Sequence, residues 1–239
     1  MPDTLAHSPG HAGSAALADV LASRLDLRPA PFPTAQPPDA ALAVAPTSER
    51  RHRSPALPVV VLTRSAAARP ELRGHSIVCG VHDEADAPAA AIASAMAEAL
   101  ELPLLLIHVL PPFTQIVPGS MLAPDVQPVI AEDLAWATAM LGRLVRAAGL
   151  DGSGATERRV HCGPPGPALA ALARSEDAAL VVVSASGRRW LLRALRPSVT
   201  EHLVRRSDRP VLVCPRHPAP AMRVREALSS APQRAWDGP

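Results

Sequence analysis

Short apolar runs alternate with helical stripes over residues 73–216. A run such as LPLLLIHVL is almost entirely apolar, as expected of a parallel strand that helices cover on both sides. By this criterion, strands are predicted at His75–Val81, Leu102–Leu110, Ala179–Val183 and Pro210–Cys214. A further short strand is expected around Glu157–His161.

Between these runs, apolar residues recur at helical spacing. Helices are predicted after the cap Asp86, over Pro128–Ala148, over Pro167–Arg174 and from Ser198. The order β-α-β-α-β-α-β-α-β predicts an α/β fold, with an open, mainly parallel five-stranded sheet and helices on both faces. The clearest stripe belongs to the second helix and comprises Ile130, Leu134, Ala137, Leu141, Leu144 and Ala148.

Residues 1–72 are rich in Pro and Ala, with one helix predicted at Ser14–Leu27. The segment DAALAVAPTSERR (39–51) is similar to DAALVVVSASGRR (177–189), and LPVVVLTR (57–64) is similar to RPVLVCPR (209–216). We interpret residues 1–72 as a truncated, degenerate repeat with a Pro/Ala-rich linker; a disordered leader is the alternative.

Two other segments stand outside the predicted sheet. The tail, 217–239, is predicted to be peripheral and flexible. The loop from Pro111 to Asp125 is unusually long for an α/β unit, which indicates either a function or mobility.

Composition changes this picture little. The formal charge is +2, all 24 basic residues are Arg, and no run reaches membrane-spanning length, so neither nucleic acid nor a membrane is an expected partner. The chain has three cysteines and no signal-peptide pattern. We therefore expect reduced thiols and a cytoplasmic protein.

Motifs for catalysis or metal binding are not evident. The sequence has no G-x-S-x-G elbow, no Walker loop and no metal-spaced Cys/His set. His108 lies in a predicted strand and is interpreted as a packed core histidine. Ser198 and Glu201 match the S-x-x-E capping box, which predicts a helix start at Ser198. No catalytic residue and no metal ligand is predicted.

Three stretches of the block Arg73–Arg216 are distinctive: IVCGV followed by an Ala-rich helix, LLLIHVLPP, and SVTEHLVRRSDRPVLV near the end. With these stretches the block resembles the universal stress protein domain. The resemblance implies a Rossmann-like, adenine nucleotide alpha hydrolase-like fold. It also implies pairing of domains through the last strand, here Val211–Cys214, because an exposed edge strand needs a partner. Within this chain Val59–Leu62 is similar to that strand, and we expect it to supply the partner.

Nucleotide-binding members of the family carry Gly, two residues, Gly, nine residues, then Gly followed by Ser or Thr. The same frame here runs from Ser184 to Gly187 and on to Pro197-Ser198. The resemblance implies ATP or AMP as the ligand, with Mg²⁺ accompanying ATP. The positions that match the family's nucleotide contacts, or replace them, are His82, Asp83, Val109, Val183, Ser184, Ser186, Gly187, Ser198 and Val199.

Three departures from this frame predict that nucleotide binding is weakened or lost. Ser184 adds a Cβ where the family has glycine. Pro197 removes a backbone N–H that would face the phosphates. His82 stands where the family has an acidic residue, although Asp83 follows directly.

The sequence therefore favours a non-catalytic regulatory or interaction module of the stress response, with a protein partner or self-association through the last strand. One alternative is an ATP or AMP sensor that uses the altered turn. The other is a nucleotide hydrolase or adenylyl-transfer enzyme built on the same kind of sheet.

Overall fold

The computed structural model describes residues 4–7, 12–25, 27–31, 40–46, 58–63, 72–111, 127–152, 156–185 and 198–216, together with Met222, Val224, Glu226 and Ala227. The strands are β1 (Thr4–His7), β2 (Arg28–Pro31), β3 (Ala40–Pro46), β4 (Val59–Leu62), β5 (Ser76–Val81), β6 (Leu104–Leu110), β7 (Thr156–Cys162), β8 (Ala178–Ser184) and β9 (Val211–Cys214). The helices are α1 (Ala12–Leu25), α2 (Ala87–Ala99), α3 (Gln127–Ala148), α4 (Pro165–Ser175) and α5 (Val199–Arg206).

The strands form one nine-stranded sheet in the order β2-β1-β3-β4-β9-β8-β5-β6-β7. Every neighbouring pair is parallel except β4 and β9, which run antiparallel. Residues 73–216 supply five of these strands, as predicted. The sheet is larger than expected because β1–β4, from the N-terminal region, extend it beyond β9.

The N-terminal strands repeat the register of the main block. Ala43 of β3 pairs with Val59 of β4, and Val181 of β8 pairs with Val211 of β9. The aligned repeats place Ala43 on Val181 and Val59 on Val211. Strands β3 and β4 therefore have the same relation to each other as β8 and β9, although the described residues show no helix between β3 and β4.

The repeat extends back to the first strand, which the sequence comparison did not show. β1 joins β3 with a register shift after Thr4, and β5 joins β8 with a register shift after Ser76. The neighbours β2-β1-β3-β4 thus correspond in order to β6-β5-β8-β9. Among the described residues, the N-terminal half contains no strand equivalent to β7.

The two halves meet at a local two-fold relation. Val60 of β4 lies opposite Leu212 of β9, its own counterpart in the repeat. On either side, Val59 faces Val213 and Val61 faces Val211. The edge of β9 is therefore covered within the chain.

Helices cover the sheet in two layers. One apolar cluster joins α1, α2 and α3 to one face, through residues such as Leu17, Ile92 and Leu144. The second cluster joins α4 and α5 to the other face, through residues such as Leu169 and Leu203. Helix α2 has ten buried residues, which its many alanines permit because small side chains allow close packing on several sides.

Only part of the apolar stripe of α3 is buried. Ala137, Leu141 and Leu144 belong to the core, whereas Ile130 and Leu134 are 37% and 40% exposed. The first turns of α3 lie outside the core, since every residue from 130 to 136 except Asp133, which is half-buried, is exposed. The helical period was thus predicted correctly, but the extent of burial was not.

The tail also departs from expectation. Val224 and Ala227 are buried and pack with the cluster beneath α1–α3, so this segment is not wholly peripheral. Apolar contacts with the core hold these two positions, which composition alone did not indicate. None of the described helices combines the length and hydropathy needed to cross a membrane.

Candidate functional site

The carboxyl ends of β5, β6, β8 and β9 lie at one edge of the sheet, because these strands are mutually parallel. Strand order reverses direction between β5 and β8, since β6 lies on one side of this pair and β9 on the other. Open α/β sheets bind ligands in the crevice at such a switch point.

Most of the predicted nucleotide contacts lie at this edge. His82 and Asp83 follow β5, Ser184 ends β8, and Ser198 and Val199 begin α5. Val109 and Val183 lie near the carboxyl ends of strands β6 and β8, and both are buried. Ser186 and Gly187, like Pro197, lie outside the described residues.

A turn of 3-10 helix, Glu84–Asp86, follows β5 and is held by two aspartates. Asp83 accepts a hydrogen bond from the Ala85 N–H through Oδ1, at 3.0 Å. The Oδ2 of Asp86 accepts from the His82 N–H at 2.7 Å and from the Asp83 N–H at 3.5 Å. Asp86 stands at the N-cap position of α2, but its side chain makes no capping bond to that helix. The predicted cap therefore organises the preceding turn instead.

Arg216 follows β9 and reaches the same two aspartates. Its Nη2 lies 3.0 Å from Oδ1 of Asp86 and 3.6 Å from Oδ1 of Asp83. The Asp86 side chain is 4% exposed. Sequence reasoning missed this ion pair, because its partners are 130 positions apart and no motif connects them.

Hydroxyl groups surround the end of β8. Thr200 donates from Oγ1 to the Ser184 carbonyl at 2.9 Å, which ties the first turn of α5 to the strand. Ser198 accepts from the Glu201 N–H at 3.1 Å, as a helix cap does. The predicted cap is thus present, but the Glu201 carboxylate pairs with Arg205 in the described structure.

The Ser184 hydroxyl differs from these groups. Its Oγ is the one buried side-chain polar atom among the described residues that has no hydrogen-bond partner. An unpaired buried hydroxyl costs free energy unless a water or a ligand satisfies it. This atom occupies the position of the first glycine in the family frame.

Three rings line the ends of β5 and β6. His82 and His108 stack with their ring centroids 6.2 Å apart, and Trp136 of α3 meets His108 edge-on at 5.8 Å. His108 is buried, and its Nδ1 lies 3.0 Å from the Val81 carbonyl oxygen. Burial lowers the pKa of His108. The neutral ring therefore donates its Nδ1–H to this carbonyl, which can only accept.

The cysteines form no reactive centre at this edge. Cys79 and Cys214 are buried and reduced, and burial raises the pKa of both thiols. Cys162 is exposed on β7. The described residues contain no group of three or more His, Cys, Asp or Glu side chains suited to a metal ion.

A nucleotide fits this edge only in part. The free hydroxyl of Ser184 suits a phosphate or ribose oxygen. The carboxylate of Asp83, however, is partly engaged within the chain, because its Oδ1 accepts the Ala85 N–H and lies 3.6 Å from the Arg216 guanidinium. The residues present therefore offer one hydroxyl donor and an acidic acceptor that a ribose would share with the chain.

Residues 75–215 match the model of the universal stress protein family. This match covers more than half of the chain and includes β5–β9. The chain belongs to the universal stress protein family. The predicted family is thereby confirmed, as is its α/β fold.

Several solved structures are similar to this chain in fold. A putative universal stress protein from Pseudomonas aeruginosa UCBPP-PA14 has 17% identity and a TM-score of 0.52, covering 95% of this chain and 86% of its own. A universal stress protein solved in complex with cAMP has 24% identity and a TM-score of 0.43, covering 58% of this chain and 95% of its own. One from Archaeoglobus fulgidus has 19% identity and a TM-score of 0.42, with 59% and 98% coverage. No curated protein matches the chain by sequence.

Proposed function

We propose that this universal stress protein is a non-catalytic regulatory or interaction module of the stress response, with a weakened nucleotide site. The observation that carries the proposal is the contact of Arg216 with Asp83 and Asp86. This contact joins the ends of β9 and β5 and therefore crosses the switch-point crevice at the end of β8. The acidic group that would receive a ribose therefore lies beside a positive charge of the same chain.

The local sequence supports the same conclusion. His82 replaces the family's acidic residue, and an imidazole is not a permanent carboxylate acceptor. Ser184 restores a Cβ where close backbone approach to a ligand favours glycine. Pro197 has no N–H to offer a phosphate. Each change affects a different contact with the nucleotide.

An ATP or AMP sensor is the second candidate function. It is favoured by the unpartnered Oγ of Ser184, which lies where a ligand oxygen would complete its hydrogen bonding. The enzyme alternative has no comparable observation in its favour, and we do not propose it. A cytoplasmic location belongs to the proposal and is supported by the three free cysteines.

Calorimetric titration with ATP and Mg²⁺, followed by a nucleotide-turnover assay, tests the proposal. We expect no saturable heat up to about 1 mM ATP, which corresponds to a binding free energy weaker than about −4 kcal/mol, and no ADP formation. Tight binding without turnover would establish the sensor instead. Turnover that disappears when the protein is unfolded would establish an enzyme.

A further inference from the structure

Arg216 is positioned to obstruct the crevice between β5 and β8, and not only to lie beside it. Strand β8 lies between β9 and β5. A side chain that starts just after β9 and ends on the turn after β5 must cross the carboxyl end of β8. The last residue of β8 is Ser184, whose Oγ is buried and unpartnered.

Two aspartates hold the guanidinium end of the Arg216 side chain. Asp86 is almost fully buried and receives the guanidinium on Oδ1, while its Oδ2 accepts the His82 N–H. Charge-assisted bonds of this kind are among the stronger hydrogen bonds in proteins. Asp83 adds a second carboxylate 3.6 Å from the same nitrogen. The guanidinium is thus shared by two internal anions.

An arginine at a phosphate site normally attracts the ligand. Here two carboxylates already engage the same charge, and the Arg216 side chain extends from the end of β9 toward the turn after β5, past the end of β8. A ligand phosphate must therefore compete with Asp83 and Asp86 for Arg216 before it can reach Ser184.

We propose that the Arg216–Asp86 ion pair is an internal strap that excludes phosphorylated ligands from the crevice between β5 and β8. This inference rests on the proposed function, since it names the contact that weakens the nucleotide site. Releasing the strap uncovers the Ser184 hydroxyl and the first turn of α5, and nucleoside triphosphates are the ligand class that gains access.

The test is calorimetry of the full chain with ATP and Mg²⁺ as the probe. Arg216→Gln should bind ATP about tenfold or more tightly than the wild type, a gain of about 1.4 kcal/mol. Simple charge attraction predicts the opposite, because the substitution removes a positive charge. The matched control is Arg174→Gln, which breaks the exposed pair with Asp208 and should leave ATP binding unchanged.

The outcomes separate the strap from the proposed function. Unchanged or weaker ATP binding by Arg216→Gln overturns the strap. Tight ATP binding by the wild type overturns the proposed function, whatever the variant does. If Arg216→Gln does not fold, Asp86→Asn decides, because the amide keeps an oxygen acceptor for the His82 N–H but carries no charge to hold the guanidinium. An Asp86→Asn variant that binds ATP no more tightly than the wild type also overturns the strap.

Discussion

His108 shows how one buried side chain links the sheet to α3. Its ring lies between His82 and Trp136, and its Nδ1–H is committed to the Val81 carbonyl. A second proton would place a positive charge at a buried site with no carboxylate in direct contact among the described residues. Burial therefore lowers the pKa of this histidine, while the bond to Val81 and the charge of Asp86 oppose the shift.

This shift predicts a loss of stability under mildly acidic conditions. The folded-state pKa of His108 lies below the unfolded value of about 6.5, so the unfolded chain binds the proton first. The free energy of unfolding should fall as the pH drops through about 6.5 and remain lower below the folded-state pKa. His202, whose pKa is lowered by burial and by Arg206, acts in the same direction.

Thermal unfolding between pH 7.5 and 5.5 measures the effect. His108→Asn retains a donor for the Val81 carbonyl but does not titrate, so its melting temperature should depend less on pH than that of the wild type. His161→Asn, on exposed β7, is the control and should retain the wild-type dependence. An unaltered dependence in His108→Asn would show that His108 does not contribute.

At the scale of elements, α4 packs closely against α5. A Cβ built on Gly166 would lie 2.9 Å from both Cβ and Cγ of His202. These atoms are near the backbone of α5 and cannot swing away as the end of a long side chain can. Glycine at this position therefore sets the separation of the two helices on this face of the sheet.

Gly166→Ala should consequently destabilise the fold despite the better helix propensity of alanine. Overpacking of this kind costs about 1–3 kcal/mol, measurable by chemical denaturation. Gly142→Ala in α3 is the matched control, because its Cβ would meet only the Arg146 guanidinium at 3.9 Å. The control should be neutral or stabilising by about 0.5–1 kcal/mol. Equal effects of the two substitutions would show that α4 and α5 separate freely.

The elements of the main block were predictable because each carries its own local pattern. Strands β5, β6, β8 and β9 are continuous apolar runs, and α3 has a helical stripe. Strands β1 (TLAH) and β2 (RPAP) were missed because neither is a continuous apolar run, and β2 contains two prolines. Such short segments without an apolar run carry no local strand pattern. Their place in the sheet depends on pairing with β3, a partner distant in sequence.

The candidate site was predictable to a similar degree. Ser184, Ser198 and Asp83 follow from the family frame and fall at the same sheet edge. Arg216 and Asp86 do not belong to that frame, and only the strand order β9-β8-β5 brings them together. Motif spacing identifies the sheet edge that carries the family frame, whereas a contact such as Arg216–Asp86 depends on the tertiary structure.

At the scale of the whole molecule, the outer edges of the sheet are both protected. At one end, Pro29 and Pro31 of β2 have no N–H to offer a further strand. At the other end, β7 exposes charged residues such as Glu157 and Arg158. Both features discourage edge-to-edge pairing. The remaining vulnerable edge is that of β9, which is apolar and is covered by β4.

Coverage of β9 by β4 leads to a proposal about assembly. The pairing is self-complementary, with Val60 opposite its own repeat counterpart Leu212. A chain without β4 would present β9 as a bare strand of four buried residues, VLVC, which suits pairing with a second copy about a two-fold axis. The N-terminal repeat then takes the place of a second subunit.

Deletion of residues 1–70 should therefore convert a monomer into a dimer or a larger aggregate, as measured by light scattering. Val60→Asp is the companion variant within the full chain, because a carboxylate in the buried centre of the pair opposes docking of β4 without removing the rest of the repeat. Deletion of residues 229–239, beyond the buried Ala227, is the control and should leave the oligomeric state unchanged. If the full-length chain and the chain lacking residues 1–70 have the same oligomeric state, β4 is not the substitute for a second subunit. The edge of β9 is then either tolerated without a partner strand or covered in another way.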